Sequence, residues 1–406
     1  MQRVRNRMKR EQKWIVTVAT VLVLALGVGC SEEPTEENSL QADLPLAGLA
    51  TRDTTISTVA GLSVRTRVAS ETSVNLLGQN GTYQAFTLIQ FTQSSFPARD
   101  TALIYSATLT LTSASWEGTA GAPFGFTVHR VNQAWSPYTF TWDSIQTGLY
   151  ESTSRGSYSG TITGDTATFT VDLDTAMVRA WFQSTATTTT PQYGMILIPS
   201  ASTQNAIRGL VPFLTGDSSS YYPHLQVIAG SPTGPQRDTT SYALGIDAFV
   251  GTDDHPAGPS PLLYVEGGVN YRSAVRFDVS FIPRGAILNV ATLYLERDPS
   301  TSKISKFVAD TALAAHTLLD TTTYTAVDPE NASAYGRRIA GSPYTFAFNI
   351  RAAAQSWVRG PNYGVLIRMP SASEYSTANL YTFFSPTASS PASRPRLKII
   401  YSIRSN

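Results

Sequence analysis

Apolar and polar residues alternate along much of the chain. In the segment TFTVDLD at 168–174, Phe169, Val171 and Leu173 alternate with threonines and aspartates. Residues 275–279 alternate in the same way. A period of two with one polar face is typical of half-buried antiparallel strands. The pattern therefore predicts an all-β protein built from antiparallel sheets.

Turn residues separate the alternating segments. An Asn-Gly pair at 80–81 lies between two apolar runs, and a Gly-Gly pair at 267–268 takes the equivalent place further along. Such pairs favour tight hairpins because they readily adopt positive φ. The segments 174–182 and 351–358 are the helical exceptions, and we expect each to form one short helix that caps a sheet.

The chain contains an internal repeat whose landmarks keep their order. RDTT at 52–55 recurs at 237–240, and IQFTQSSFP at 89–97 matches VRFDVSFIP at 275–283. Further matches pair His129 with His316, Trp181 with Trp357, 193–194 with 363–364, and 223–228 with 395–400. A slowly drifting offset is expected when loops change length between equivalent strands.

Repeat and strand pattern together predict two tandem antiparallel β-sandwich domains of jelly-roll type. The predicted boundaries are 51–230 for the first sandwich, 231–236 for a linker and 237–406 for the second. Each sandwich contains one of the two predicted helices, so the fold class is all-β with one short capping helix per domain.

The N-terminal segment has the features of an export signal. Basic residues dominate its first thirteen positions, and an apolar run follows from Trp14 to Gly29. Sixteen residues span about 24 Å as a helix, which is shorter than a bilayer core of roughly 30 Å. A basic head, a short apolar segment and small residues at its end predict a secretory signal peptide over 1–29.

Cys30, the single cysteine of the chain, directly follows this segment. The sequence LGVGC that it closes resembles the bacterial lipobox, in which cleavage precedes a cysteine that carries diacylglycerol. The resemblance implies a membrane anchor at Cys30 and, because Ser31 follows, a location at the outer membrane or cell surface of a bacterium. Residues 30–50 are acidic without apolar periodicity, which predicts a flexible tether. An unlipidated signal peptide or an uncleaved anchor is the alternative.

Composition and charge exclude several classes of function. Charged residues make up 15% of the chain and its net charge is +1, so the protein has little positive charge to attract nucleic acid. One cysteine excludes an intrachain disulfide and a multi-cysteine metal site. The four histidines are scattered, and no phosphate-binding loop or nucleophile-elbow motif occurs. We therefore expect a protein that is not an enzyme.

The candidate ligand-binding residues are aromatic, because Trp and Tyr rings stack on the C–H faces of sugars. Trp116 lies in a Gly/Ala-rich segment, and Trp135, Tyr138 and Trp142 surround a Ser-Pro-Tyr turn. A core position is the alternative for each tryptophan. The second repeat has a threonine-rich stretch at 321–325 in place of Trp135 and Trp142, so a site built on those two tryptophans is expected in the first repeat alone.

Three aspartates form the candidate metal site. Asp247, Asp253 and Asp254 cluster in IDAFVGTDDHPAG. Their carboxylates could supply oxygen ligands to a structural calcium ion at a sandwich edge, with a solvated loop as the alternative. No other cofactor is expected.

Several segments resemble DNRLRE-type domains. Residues 271–296 resemble the central motif of these domains, and 128–142, 349–368 and 393–401 resemble their later segments. The resemblance implies an antiparallel β-sandwich in a secreted or surface protein, and some of these domains are counted among carbohydrate-binding modules.

These observations predict a cell-surface lipoprotein that acts as a non-catalytic binding module, with carbohydrate as the ligand. The first alternative is a structural or adhesive envelope protein that contacts other proteins. The second is a polysaccharide lyase or hydrolase, since jelly-roll folds also host such enzymes. The ligand and the oligomeric state stay open at this point.

Overall fold

The structure is a computed structural model in which Ala50–Ile403 form one compact unit. The predicted signal peptide, Cys30 and nearly all of the predicted tether lie outside the described residues. No helix within the described ranges is long and apolar enough to cross a membrane. The structure describes residues 49–65, 74–92, 103–161, 164–182, 192–212, 221–231, 233–256, 258–269, 271–304, 312–329 and 334–404.

The protein is all-β with antiparallel sheets, as the alternating pattern predicts. The described residues form twenty strands in two ten-stranded sheets. The first ten strands are β1 (Leu49–Arg65), β2 (Asn75–Asn80), β3 (Tyr83–Phe91), β4 (Leu103–Gly118), β5 (Pro123–Arg130), β6 (Gly156–Thr161), β7 (Ala167–Asp172), β8 (Met195–Pro199), β9 (Ala206–Leu210) and β10 (His224–Gly230). The next ten are β11 (Arg237–Thr252), β12 (Leu262–Glu266), β13 (Tyr271–Phe277), β14 (Ile287–Glu296), β15 (Ala312–Thr317), β16 (Ala334–Ile339), β17 (Ser342–Asn349), β18 (Val365–Arg368), β19 (Leu380–Phe384) and β20 (Arg396–Arg404).

Two short helices confirm the helical segments of the sequence to within one residue at each end. Helix α1 spans Thr175–Phe182 and α2 spans Arg351–Arg359, with a single turn, α3, at Ser371–Glu374. Trp181 of α1 and Trp357 of α2 are buried in the cores of their own sheets. The helices are therefore held by packing of one apolar face.

The repeat in the sequence is also a repeat of sheet topology. The first sheet has the order β11-β10-β4-β9-β2-β3-β8-β5-β6, with β7 paired to β4. The second sheet has the order β1-β20-β14-β17-β16-β15-β18-β13-β12-β19. Seven neighbouring pairs of the first sheet recur in the second when ten is added to each strand number, as β3–β8 recurs in β13–β18.

The first strand of each repeat lies in the sheet of the other repeat. Strand β1 pairs with β13 and β20, whereas β11 pairs with β3 and β10. The registers are equivalent, since Leu62 lies opposite Ala274 and Ala248 lies opposite Leu88. Each sheet therefore contains strands from both repeats.

This exchange bears on the predicted domain boundaries. The ranges 51–230 and 237–406 follow the repeats of the sequence, and sheet membership divides the chain differently. Residues 49–65 join the second sheet and residues 237–252 join the first. The division into two tandem domains stays a prediction about the repeats.

Each sheet has a buried apolar core, and a third apolar cluster joins the two sheets. Trp181 and Phe126 belong to the core of the first sheet, and Trp357 and Phe348 to that of the second. Burial of each such side chain stabilises the fold by about 1.5–3 kcal/mol. The joining cluster takes residues from both sheets: Leu76, Tyr83, Ala85, Ile207, Phe249, Tyr264, Val269, Tyr271, Ala378 and Leu380.

Cleavage of the segment between the repeats tests the exchange. We expect a protein cut between Gly230 and Arg237 to remain one particle, because each fragment contributes a strand to the other fragment's main sheet. A protease site placed at 231–236 and size-exclusion chromatography before and after cutting measure this, with the uncut protein as control. Separation of the fragments without denaturant would contradict the exchange.

Candidate functional site

A small pocket of about 160 Å³ lies on the second sheet. It sits on the sheet face opposite the core, where β1 and β13 run side by side. Two loops close its sides, one after β15 and one before β18. The lining residues are Ala60, Gly61, Leu62, Ala274, Val275, Arg276, Thr321, Tyr324 and Tyr363.

Strand β1, which the first repeat contributes to the second sheet, forms half of the pocket floor. Ala60 of β1 lies opposite Arg276, and Leu62 lies opposite Ala274 of β13. Successive side chains of a strand point to opposite faces, so these four share one face. Val275, between them, belongs to the core on the other face. Apart from Arg276 the floor is apolar, and it is open because two of its residues are alanines.

A tight turn positions Tyr324 at the pocket. One carboxylate oxygen of Asp320 accepts the backbone N–H groups of Thr322 and Thr323 at 2.8 and 2.9 Å. The hydrogen bonds from Thr323 and Thr322 hold the pKa of the Asp320 carboxyl below its usual range. Tyr324 has φ of +55°, which is uncommon for a residue with a side chain. Such a conformation persists where the surroundings fix it.

Tyr363 completes the aromatic side of the pocket. It is half-buried and packs with Tyr324 against a small apolar cluster that includes Ala274, Leu318 and Leu366. The exposed Arg276 lies at the pocket's edge. Phenol hydroxyls and a guanidinium beside an apolar floor are suited to a ring that carries both C–H faces and hydroxyl groups.

The equivalent place on the first sheet is filled by the loop that follows β5. Trp142 packs on Phe86 with ring centroids 4.8 Å apart. Trp135 packs on Phe140 at 6.0 Å and donates its indole N–H to the carbonyl of Tyr193 at 2.9 Å. These residues form one apolar cluster with buried side chains of β3 and β8.

Side-chain volume explains why this place is open on the second sheet and filled at the equivalent described residues of the first. Ala274 stands where the first sheet has Leu88, and Tyr363 corresponds to Tyr193. The second repeat has no counterparts of the two tryptophans in its threonine-rich loop. Sequence reasoning placed the candidate site in the first repeat, whereas the geometry puts this open pocket in the second.

The other predicted aromatic residues differ in exposure. Trp116 is buried, its indole N–H donates to Asp165 at 2.9 Å, and the Arg208 guanidinium lies 5.5 Å from its ring centroid. A buried indole has no free face for a sugar ring, so Trp116 occupies the core position that was its alternative. Tyr138 is 69% exposed at its turn.

The three predicted calcium ligands do not form one group. Asp253 is buried, Asp254 is exposed, and Asp247 lies within β11. The structure instead brings Asp253 together with His255 and Glu266, whose ligand atoms lie within 4.8 Å of one another. Sequence reasoning missed the last two because their spacing matches no metal-binding motif.

Burial and mutual contact set the charges in this group. Burial raises the pKa of Glu266 to about 7. Burial acts to lower the pKa of His255, but hydrogen bonds and charges of Asp253 and Glu266 outweigh it and raise the value to about 9. Burial acts to raise the pKa of Asp253, but the interaction with the nearby His255 and weaker contributions outweigh it and lower the value to about 2. A protonated imidazole therefore offsets the buried carboxylates at neutral pH.

Comparisons with known proteins do not identify the chain. No family model matches it, and no curated protein matches it. The C-terminal domain of the Streptococcus agalactiae AgI/II polypeptide BspA is 10% identical, with 86% of this chain and 92% of that chain covered and a TM-score of 0.16. A second structure, BspA_C_WT, is also 10% identical, with 84% and 91% covered and a TM-score of 0.17. Likeness at these scores carries no conclusion about fold or function.

Removal of a tryptophan that fills the first repeat's site should destabilise the protein. We expect Trp142→Ala to lower the free energy of unfolding by about 2–4 kcal/mol, since it leaves a cavity over Phe86. Tyr138→Ala should change it by less than about 0.5 kcal/mol because that ring is exposed. Urea denaturation measures both, and equal effects would show that the tryptophan does not fill this site.

Glu117 gives a pH-dependent prediction. It lies in β4 and accepts the backbone N–H of Ala378 at 3.5 Å, and burial raises its pKa from 4.5 to about 7. The pKa of Glu117 is higher in the folded state than in the unfolded state. Its contribution to the free energy of unfolding is therefore fully present below about pH 4.5 and is lost as the pH rises past 7. Glu117→Gln should therefore stabilise the protein by on the order of 1–3 kcal/mol at about pH 8 and little at about pH 4. Melting curves at both pH values check this, and equal shifts would contradict it.

Proposed function

We propose that this chain is a non-catalytic surface module that binds carbohydrate through the pocket on the second sheet. The observation that carries the proposal is the pair of half-buried tyrosines, Tyr324 and Tyr363, beside an open apolar floor. Aromatic side chains with one polar end are suited to amphipathic rings, because the face binds C–H groups while the hydroxyl remains hydrated.

The size and polarity of the pocket limit the ligand. At about 160 Å³ it is smaller than pockets for drug-sized ligands, which have roughly 300–1,000 Å³. It therefore accepts a single sugar ring of a longer chain. Thr321 and Arg276 are exposed donors at the edge for its hydroxyl or carboxylate groups. One ring with few hydrogen bonds gives weak affinity, which suits a module that acts in repeated contacts.

The proposed architecture places this pocket outside the cell. Two jelly-roll-like sandwiches of DNRLRE type, with their first strands exchanged, would follow a signal peptide over 1–29. Lipidation of Cys30 would hold them at the outer membrane or cell surface. Support for the anchor comes from the position of the only cysteine directly after a basic and apolar leader.

Binding to a polysaccharide panel tests the proposal. We expect the mature protein to be retarded in affinity gels that contain at least one neutral or uronate polysaccharide. Tyr324→Ala and Tyr363→Ala should each abolish the retardation, while Tyr138→Ala in the first repeat leaves it unchanged. Retardation that survives both pocket variants would place binding elsewhere, and no retardation by any polymer would contradict carbohydrate binding.

A substitution that fills the pocket gives an independent control. Ala274→Leu introduces the residue that the first sheet carries at the equivalent position, so we expect it to block the floor without removing either tyrosine. Melting curves confirm that the variants fold. Capture of protein without glycan would favour the adhesive alternative, and shortening of a polymer would favour the lyase or hydrolase alternative.

A further inference from the structure

We propose that Asp253, His255 and Glu266 bind one divalent transition-metal ion, with zinc as the best fit. One imidazole nitrogen and two carboxylate oxygens form a mixed nitrogen and oxygen ligand set that zinc accepts. Calcium prefers six to eight oxygen ligands, and an imidazole does not suit it.

The ligand atoms lie close to the separations of a tetrahedral centre. Nε2 of His255 lies 3.3 Å from Oδ2 of Asp253 and 2.9 Å from Oε2 of Glu266. Bonds of about 2.0–2.2 Å in tetrahedral geometry separate neighbouring ligand atoms by roughly 3.3–3.6 Å. The separation from Asp253 fits this range, all three ligand atoms lie within 4.8 Å of one another, and seating an ion among them requires an outward shift of Glu266.

A buried oxygen without a hydrogen bond points into the centre. Oδ2 of Asp253 makes no well-formed hydrogen bond among the described residues, since its neighbour Nε2 of His255 lies 3.3 Å away, and the side chain is fully buried. The Nε2–H of a protonated His255 is directed to the closer Glu266. A buried carboxylate oxygen that lacks a donor is costly, and a bound cation removes this cost.

Neighbouring residues hold the ligands in place. Oδ1 of Asp253 accepts the backbone N–H of Asp254 at 2.9 Å. The Tyr271 hydroxyl shares its one hydrogen between the carbonyls of Asp253 and His255, both at 3.3 Å. The ring of Tyr264 stacks on the imidazole at 4.5 Å with an interplanar angle of 6°. Such contacts orient metal ligands and strengthen binding.

The position of the site gives the ion a structural role. Asp253 and His255 directly follow β11, the strand of the second repeat that belongs to the first sheet. Glu266 is the last residue of β12 in the second sheet. A metal bound by these residues would connect the end of the exchanged strand to the other sheet, and this role is independent of carbohydrate binding.

Metal content and stability test the site. Tag-free mature protein, stripped with a chelator, should retain one zinc ion per chain after exposure to zinc and dialysis, measured by mass spectrometry. Zinc at a hundredfold excess over Kd should raise Tm by about 3–5 °C. Asp253→Asn and Glu266→Gln should lose both effects, and Asp254→Asn, the exposed neighbour, should keep them.

Three outcomes would overturn the proposal. They are no retained zinc, equal retention by Asp253→Asn, and a Tm response to calcium but not to zinc. If the ligand variants do not fold, cobalt titration of the unaltered protein shows whether the metal site exists. Intense visible absorption bands that saturate at one equivalent support a tetrahedral site, and their absence contradicts it.

Discussion

The pairing of β1 with β13 and β20 is the interaction on which the rest of the structure depends. An unpaired sheet edge exposes backbone donors and acceptors that must be satisfied. In this protein each repeat satisfies those groups with the first strand of the other repeat. The pocket floor contains β1 residues for this reason, and the residues after β11 meet β12 for the same reason. Both candidate sites therefore arise from the exchange.

The two repeats share one strand topology but differ in what covers the outer face of the sheet. In the first, Leu88 and the tryptophans of the following loop pack over the outer sheet face. In the second, Ala274 and a threonine-rich loop leave the same face open between two tyrosines. Apolar burial in one repeat contributes stability, and the open face in the other is available for a ligand. This division is consistent with divergence after duplication.

The sequence predicted local structure well and long-range placement poorly. Alternation and turn residues identified the strands, and the helices around Trp181 and Trp357 were predicted almost to the residue. The exchange could not be predicted, because β1 and β11 are equivalent strands with the same pattern and fit either sheet. The lack of counterparts of Trp135 and Trp142 in the second repeat was visible in the sequence, but only the volume over Ala274 shows that this lack opens a pocket. The contact of His255 with Glu266 likewise depends on two strands meeting across sheets.

Disulfide trapping tests the exchange most directly. Ser63 of β1 and Ser273 of β13 lie opposite each other, with their Oγ atoms 3.2 Å apart. With Cys30→Ser in the background, cysteines at these two positions should form an intramolecular disulfide that changes mobility in non-reducing gels. Thr87 is the equivalent of Ser273 in the first sheet, so Ser63→Cys with Thr87→Cys should not cross-link. Cross-linking of the second pair instead of the first would show that β1 pairs within its own repeat.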